Sequence, residues 1–140
     1  MSIYLVGSLR NPEVPKIAKR LIHEGFDIFS DWFAAGKIAD DSWQEYETLL
    51  GRTYIEALNG IAADHVFQFD KFHLNRCDSV ILVAPAGRSG HIEFGYMLGQ
   101  KKPGYYLLDK PPDRWDVMLK FATGVFFDLE ELIKELKCHS

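Results

Sequence analysis

Residues 79–96 place an apolar run directly before a small-residue loop and a helical pattern. The run at 79–84 is almost wholly apolar and is therefore predicted to be a buried strand. The residues after the loop begin a helix and include one carboxylate, Glu93. A strand followed by a loop and a helix is typical of open α/β sheets, which bind ligands beyond the carboxyl ends of their strands. This feature restricts the chain to the α/β class and indicates where a ligand would bind.

Local sequence leaves two roles open for Glu93. In the crevice of such a sheet, a fixed carboxylate can act as a nucleophile or a base. With Gly90 as the N-cap of the helix, Glu93 instead falls at the third helical position, where a glutamate reaches back to free N–H groups and favours the helix dipole. The residues around Glu93 support these two roles about equally.

Composition indicates one globular domain in a reducing compartment. The length of 140 residues suits a single domain, and the hydrophobic content of 47% supports a sizeable core. The net charge of −4 argues against a nucleic acid polymer as partner, since binding its phosphates needs a basic face. No apolar run reaches the length of a membrane span, so no membrane partner is expected. Cys77 and Cys138 form no CxxC pair, which is typical of a cytoplasmic protein.

Short apolar runs alternate with helical patterns along the chain. Strands are predicted at 3–6, 26–30, 79–84, 104–108 and 125–127. Helices are predicted at 14–24, 42–58, 61–76, 91–101, 115–121 and from Asp128, as cap, to 137. The strand–helix–strand start implies a parallel pair with a right-handed crossover. We predict one domain, residues 1–140: a three-layer α/β/α sandwich with a mostly parallel five-stranded sheet, Rossmann- or flavodoxin-like.

The second predicted helix carries a capping signal at its start. Ser42 is followed three residues later by Glu45, the spacing of a capping box. Apolar residues then recur at helical spacing as far as Leu58, where an Asn-Gly pair stops the pattern. These signals predict one continuous helix over 42–58.

The first predicted strand ends in a loop suited to an anion. Gly7 and Ser8 follow the strand and lead into a helix, so free backbone N–H groups and the helix N-terminus both favour negative charge there. Arg10 adds a forked donor that suits phosphate, and Ser89 offers a hydroxyl at the other helix start. A solvated turn is the alternative. The chain has neither a GxGxxG fingerprint nor a P-loop motif.

A second carboxylate and two aromatic side chains are further candidates. Asp70 lies two helical turns before Asp78, and it reaches the crevice only if its helix crosses that edge of the sheet; otherwise both are solvated acids. Trp32 and Phe33 either stack on a planar base or close one end of the core.

The histidines indicate no bound metal. His65 and His73 lack partners at the spacing of a metal site, so no metal is assigned, and no cofactor is expected. His91, two residues before Glu93, is either a base or a bystander.

Three of these segments together match one known family in their order along the chain. The strand and Gly-Ser-x-Arg loop at 3–10 are the first. Asp70 and Asp78, just before a hydrophobic strand, are the second. The third is the Ser-Gly-x-x-Glu-x-Gly-Tyr segment at 89–96, followed by Lys102-Pro103. Over roughly residues 3–108, the chain resembles the nucleoside 2-deoxyribosyltransferase and nucleotide N-glycosidase superfamily.

This resemblance implies a retaining reaction at C1′ of a nucleoside or nucleotide. Glu93 would form a glycosyl ester, and Asp70 would bind near the sugar and base and protonate the leaving base. Substrate contacts are implied for Tyr4, Gly7, Ser8, Arg10, Trp32, Ser89 and Gly90. The chemistry is sound on its own terms, because glycosidic cleavage develops positive charge at C1′ that a carboxylate stabilises and then traps.

The resemblance leaves the branch of the family open. One branch exchanges bases on free deoxynucleosides, and the other hydrolyses 5′-monophosphates. Glu13, which follows the Gly-Ser-x-Arg loop in place of a run of glycines, would repel a phosphate. A non-catalytic nucleotide-binding or sensing domain on the same fold is the alternative, although a sensor has no need for both carboxylates.

Self-association is also expected, as a homodimer or a higher homo-oligomer. Related enzymes assemble so that a loop of one subunit completes its neighbour's pocket. Residues 111–121 crowd Trp115, Met118 and other apolar side chains after a proline break, as interfaces do. Burial in the chain's own core is the alternative for this segment.

Overall fold

A computed structural model describes residues 1–139 and contains one parallel sheet of five strands. The strands are β1 (Ser2–Val6), β2 (Asp27–Phe29), β3 (Ser79–Val83), β4 (Gly104–Leu107) and β5 (Gly124–Phe126). Their order across the sheet is β2-β1-β3-β4-β5, and every neighbouring pair is parallel. The order reverses beside β1, so β1 and β3 flank the switch point where such sheets bind ligands.

The described residues form six α-helices, and four of them cover the two faces of the sheet. The six helices are α1 (Glu13–His23), α2 (Ala39–Leu49), α3 (Tyr54–Leu58), α4 (Ile61–Arg76), α5 (Arg88–Gly99) and α6 (Leu129–Cys138). On one face, Ile3 and Ile81 pack with α1 and α6. On the other face, Tyr4 and Leu82 pack with α4 and α5. The three-layer α/β/α prediction is therefore confirmed.

Burial on both faces explains why the central strand is apolar at successive positions. Ile81 and Leu82 point to opposite faces of the sheet, and both are fully buried. Cys77 is buried at the end of α4, as a small core residue would be. Each strand feeds a helix that packs back onto the sheet, so the loops after β1 and β3 meet at its carboxyl edge.

The region between β2 and α4 differs from the prediction. A 3₁₀ helix spans Asp31–Ala35, and α2 begins at Ala39, so Ser42 lies inside the helix and donates its N–H to the carbonyl of Ile38. The predicted capping box at Ser42 is therefore wrong. Glycine breaks the predicted long helix, because Gly51 has a φ of 77°.

The capping box of this region lies ten residues or so further along the chain. Thr53 caps α3, with its hydroxyl accepting from the Glu56 N–H while Glu56 accepts from the Thr53 N–H. The chain thus restarts a separate short helix after Gly51.

The segment before β5 is also shorter than predicted. It forms a 3₁₀ helix at Val117–Phe121, capped by Asp116, which accepts from the Met118 N–H. Trp115 is 85% exposed. Burial in the chain's own core is therefore excluded for this tryptophan. None of the helices within residues 1–139 has the length and apolar character needed to cross a lipid bilayer.

Candidate active site

The helix that carries Glu93 begins three residues earlier than predicted. Its N-cap is Gly87, so the third helical position is Gly90 and Glu93 is the sixth residue of α5. Orphan N–H groups lie only in the first turn of a helix. The capping role considered for Glu93 is therefore wrong, since its side chain is one turn too far along α5.

Glu93 lies largely buried between β1 and α4. Burial raises the pKa of its carboxyl, the facing hydroxyl of Tyr4 lowers it and the negative charge of Asp70 raises it, and together these effects bring the pKa to about 7. The structure thus brings together two carboxylates that lie 23 positions apart in the sequence. A carboxyl with its pKa near neutrality is typical of groups that exchange protons or attack electrophiles.

Asp70 is placed at the crevice by the path of α4. It is partly buried, and burial raises the pKa of its carboxyl. Its negative charge also raises the pKa of both Tyr4 and Glu93, so Asp70 lies near these two groups and is not merely a solvated acid. Asp78 lies at the opposite edge, where its carboxylate accepts from the N–H of Ser2. Of the two aspartates in the motif, Asp70 lies near Glu93 and Asp78 lies beside Ser2.

Tyr4 supplies the buried floor of the site. Its ring is fully buried beside Phe29, with ring centroids 5.1 Å apart. The hydroxyl faces Glu93 without the geometry of a formed hydrogen bond, and no other residue in 1–139 bonds to it. Burial, and then the charges of Glu93 and Asp70, raise the pKa of the Tyr4 phenol. The site therefore holds a neutral O–H donor with nothing fixed to accept from it.

The loops after β1 and β3 form an open cavity of about 360 Å³. Its lining is Ser8, Arg10, Asn11, Pro12, Pro85, Ala86 and Gly87. The Ser8 hydroxyl accepts from the Arg10 N–H at 3.1 Å, which folds the loop into a tight turn. Beside this cavity, the first turn of α5 presents the N–H groups of Ser89 and Gly90.

Two glycines bring these loops into close approach. A Cβ built on Gly7 would lie 2.7 Å from Cγ2 of Val14. A Cβ built on Gly90 would lie 3.0 Å from Cγ1 of Val6 and 3.2 Å from Cβ of Ala86. Gly90 thus lets the start of α5 pack against the end of β1.

Arg10 contacts α2 across the mouth of the cavity. One of its terminal nitrogens lies 3.5 Å from the Asp41 carboxylate, and both side chains are mostly exposed. Exposed pairs of this kind contribute at most about 1 kcal/mol. The guanidinium is therefore free to exchange this partner for a better one.

Trp32 closes one end of the core. Its indole N–H donates to the carbonyl of Leu5 at 2.7 Å, and its ring packs against both faces of the core. Phe33 packs edge-on to Trp32, with ring centroids 5.8 Å apart. The contacts thus match the core-closing role, and stacking of Trp32 on a base stays a prediction.

The His91 ring forms hydrogen bonds that the sequence did not predict. Its Nδ1 lies 2.8 Å from the Gly87 carbonyl, which can only accept, so Nδ1 carries the proton in this pair. In the neutral ring, Nε2 then accepts from the Tyr106 hydroxyl at 2.9 Å. His91 thus ties the start of α5 to β4 rather than facing Glu93 as a base. Tyr106 lies outside every motif discussed above, so no sequence signal could have predicted its hydrogen bond with His91.

No three His, Cys, Asp or Glu side chains in the described part of the chain are grouped as metal ligands would be.

Comparison with known proteins identifies the fold. No protein-family model matches the chain, and no curated protein matches its sequence. The solved structure of the CMP N-glycosidase BcmB of Clostridium botulinum is similar, with a TM-score of 0.54 over 98% of this chain and 99% of that chain. The two sequences are 13% identical, so the likeness is one of fold. The chain has the nucleoside 2-deoxyribosyltransferase-like fold that its motifs predicted.

Proposed function

We propose that this protein cleaves the N-glycosidic bond of a nucleoside or its 5′-monophosphate through a covalent ester on Glu93. The observation that carries the proposal is the meeting of Glu93, Asp70 and Tyr4 at the carboxyl edge of the sheet. Three groups from three different elements converge there, two of them carboxyls with raised pKa values. Enzymes that cleave glycosidic bonds ordinarily use two carboxyl groups whose pKa values are shifted by their environments.

The proposed reaction has two steps at C1′ of the sugar. The ionised Glu93 carboxylate forms a bond to C1′ while the bond from C1′ to the base nitrogen breaks, and Asp70 gives a proton to the leaving base. Water or a second base then attacks C1′, and the ester oxygen returns to Glu93 as a carboxylate. The proton released by the incoming nucleophile restores Asp70. Hydrolysis and base exchange differ only in that acceptor.

Tyr4 fits this cycle as a donor to Glu93. A neutral phenol facing the carboxylate stabilises its charged form before attack and orients one oxygen toward C1′. Because the hydroxyl has no other partner in the described residues, it is also free to contact the sugar.

A 5′-phosphate fits the cavity between the two loops. Ser8 and Arg10 line one side, and the N–H groups of Ser89 and Gly90 lie at the helix start beside it. A helix N-terminus and a guanidinium both favour a phosphate group. The Glu13 carboxylate lies 3.4 Å from the ammonium nitrogen of Lys16. This ion pair offsets the negative charge that would repel an anion. The similarity to a CMP N-glycosidase supports a nucleotide substrate.

The non-catalytic alternative explains less of the geometry. A sensor needs to hold its ligand, and the phosphate cavity would suffice for that. Burying Glu93 beside Asp70 lowers the stability of the folded chain at neutral pH, since burial disfavours the charged form of Glu93 and the negative charge of Asp70 adds to this effect. An enzyme gains from that arrangement, and a sensor does not.

One chromatographic experiment tests the proposal. The protein is incubated with a panel of nucleosides and 5′-monophosphates, with and without an added free base, and products are separated. Release of a free base establishes the N-glycosidase, and a new nucleoside formed only with the added base establishes transfer. Binding of a panel member without any product would favour the sensor.

Self-association belongs to the same proposal. Segment 111–121 presents Trp115, Val117 and Phe121, each about two thirds exposed or more. Such side chains are typical of interfaces. A homodimer or a higher homo-oligomer is therefore expected in solution, and sedimentation at micromolar concentration measures it.

A further inference from the structure

The Lys102-Pro103 pair belongs to the sequence motifs but has no role in the reaction steps proposed above. It lies between α5 and β4, at the amino edge of the sheet. The Pro103 carbonyl accepts from the N–H of Val80 at 3.0 Å, so this segment is fixed to the start of the central strand β3. Lys102 therefore lies opposite the crevice, at the C-terminal ends of the two helices that carry Asp70 and Glu93.

The backbone of Lys102 completes the end of α5. Lys101 has a φ of 63°, and its N–H donates to the carbonyl of Leu98 at 2.9 Å. The N–H of Lys102 donates to the carbonyl of Met97 at 3.3 Å. A left-handed residue with these two bonds is a Schellman motif, which satisfies the free carbonyls at the end of a helix. The backbone of Lys102 is thus bound to the last turn of α5.

The side chain of Lys102 closes the end of α4. Its ammonium nitrogen donates to the carbonyl oxygens of Leu74 at 3.0 Å and Asn75 at 3.1 Å. These carbonyls belong to the last turn of α4, where no N–H of the helix remains to bind them. A cation there also interacts favourably with the helix dipole. One residue therefore joins the last turns of both helices.

Each joined position lies one turn beyond a carboxylate of the site. Leu74 follows Asp70 by four residues, so the two lie on one face of α4. Met97 follows Glu93 by the same interval on α5. Leu74 and Met97 are buried in the same core cluster, and the Met97 sulfur lies 4.0 Å from the Lys102 ammonium nitrogen. Because one turn of an α-helix has a fixed length of about 5.4 Å, the joined ends set how far apart the two carboxylates lie.

We propose that Lys102 is a positioning residue that fixes the separation of the Asp70 and Glu93 carboxylates from the opposite edge of the sheet. It acts through the two helices and not on the substrate. The inference rests on the proposed function for its effect on the reaction, whereas its effect on the geometry is measured without any substrate.

Loss of this contact should let the ends of α4 and α5 move apart. The charge of Asp70 would then act on Glu93 more weakly, and water would reach Glu93 more easily. Both changes lower the pKa of Glu93 from about 7 toward its ordinary 4.5. Removing a cation on its own raises the pKa of a carboxyl, so a fall reports the changed geometry and not the lost charge.

The test compares Lys102→Met with Lys102→Arg and Asp78→Ala. Methionine removes the donors, arginine keeps a cation with donors, and Asp78→Ala removes a different hydrogen bond at the same edge, to the N–H of Ser2. The side-chain carboxyl of Glu93 is titrated by carbon NMR without substrate, and its signal is assigned from its absence in Glu93→Gln. We expect the pKa of Glu93 to fall in Lys102→Met and to stay close to the wild-type value in the other two variants.

Turnover gives the second measurement, with a substrate that the wild-type protein cleaves. Lys102→Met should lower kcat by about 10- to 100-fold, because errors of about 1 Å in placement can cost a hundredfold in rate. KM should change by less than about threefold, since the groups that bind the substrate remain. Lys102→Arg should recover most of the lost kcat, and Asp78→Ala should retain it.

Four outcomes would overturn the assignment. Two of them are an unchanged pKa of Glu93 and an unchanged kcat in folded Lys102→Met. The others are an equal fall of that pKa in Asp78→Ala, which would indicate general loosening, and no recovery in Lys102→Arg. A wild type that cleaves no substrate would end the proposed function, while the titration would still decide the role of Lys102. Thermal melts identify variants that do not fold, and Lys102→Gln replaces Lys102→Met under the same criteria if that variant is one of them.

Discussion

The two edges of the sheet use similar polar residues in opposite ways. At the amino edge, Asp78 accepts from the Ser2 N–H and donates its own N–H to the Ser2 hydroxyl, both at 3.1 Å. Lys102 donates to the carbonyls of Leu74 and Asn75 at the end of α4. Each polar group named here has a partner, so this edge contributes to stability.

At the carboxyl edge, the corresponding groups are left poorly satisfied. Burial raises the pKa of both Glu93 and Asp70, and the Tyr4 hydroxyl has no bonded partner in residues 1–139. Unsatisfied groups in a folded chain cost stability unless a ligand satisfies them. The proposed function accounts for the difference, because it makes one edge part of the fold alone and the other the place where a substrate binds.

Removing a carboxylate from each edge gives the largest expected contrast. Glu93→Ala should lower turnover by at least about 10³-fold, because the nucleophile is lost. Its melting temperature should stay within a few degrees of wild type. Asp78→Ala is the matched control and should retain turnover. Product release by the two purified variants, measured by chromatography, decides between them, and near-normal rates in Glu93→Ala would refute the mechanism.

Asp70→Asn should give the next largest effect. It should slow natural substrates by about 10²–10⁴-fold, since the leaving base loses its proton donor. Substrates with activated leaving groups, which need little protonation, should be slowed much less. The variant also removes a negative charge that raises the pKa of Glu93, so the acidic limb of kcat/KM should move to lower pH. Equal losses on both substrate types would point to a structural role.

Arg10→Ala should have a smaller effect that depends on the substrate. KM for a 5′-monophosphate should rise about 10- to 100-fold, given about 1.5–3 kcal/mol for a hydrogen bond to a charged group. KM for the free nucleoside should barely change. Lys19→Ala, which removes an exposed cation from α1, controls for net charge. A protein that prefers free nucleosides and tolerates Arg10→Ala belongs with the base-exchange reading.

Stability measurements should give the smallest effects, with opposite signs at the two edges. Glu93 has a folded pKa of about 7 against an ordinary 4.5, so the folded state loses stability as pH rises through that range. Glu93→Gln stays neutral and should therefore be more stable than wild type above pH 7, by at most about 3 kcal/mol, and similar near pH 4.

Asp78→Ala should lose about 1 kcal/mol, because its bond to the Ser2 N–H is gone. Thermal melts of both variants at pH 4 and pH 8 measure these differences. If Glu93→Gln is no more stable than wild type at pH 8, the ionised Glu93 carboxylate does not destabilise the folded state.

Regular elements were predicted well where periodicity was long and uninterrupted. The helix at 61–76 has the predicted bounds, and all five strands lie within two residues of theirs. The break at Gly51 was missed because apolar residues keep helical spacing on both sides of it, while the positive φ depends on the folded chain. The start of α5 was misplaced because Gly87 and Gly90 both suit an N-cap.

Parts of the candidate site were predictable because they follow motifs in a fixed order. Glu93, Asp70 and the Gly7–Arg10 loop were predicted in this way. The bond between His91 and Tyr106 and the pair of Arg10 with Asp41 were not, because each depends on how two elements pack. Periodicity predicts which face of a helix is apolar. It does not predict which side chain of another element that face contacts.

The close approach at Gly90 has a consequence for how specificity can change. Even alanine there would press on Val6 and Ala86, so the end of β1 and the start of α5 would separate by a few tenths of an ångström. Errors of about 1 Å in substrate placement can cost a hundredfold in rate. Arg88 and Ser89 are exposed and meet no such barrier. Under the proposed function, we therefore expect new substrate preferences to arise through positions 88 and 89, while Gly90 keeps the distance between β1 and α5 constant.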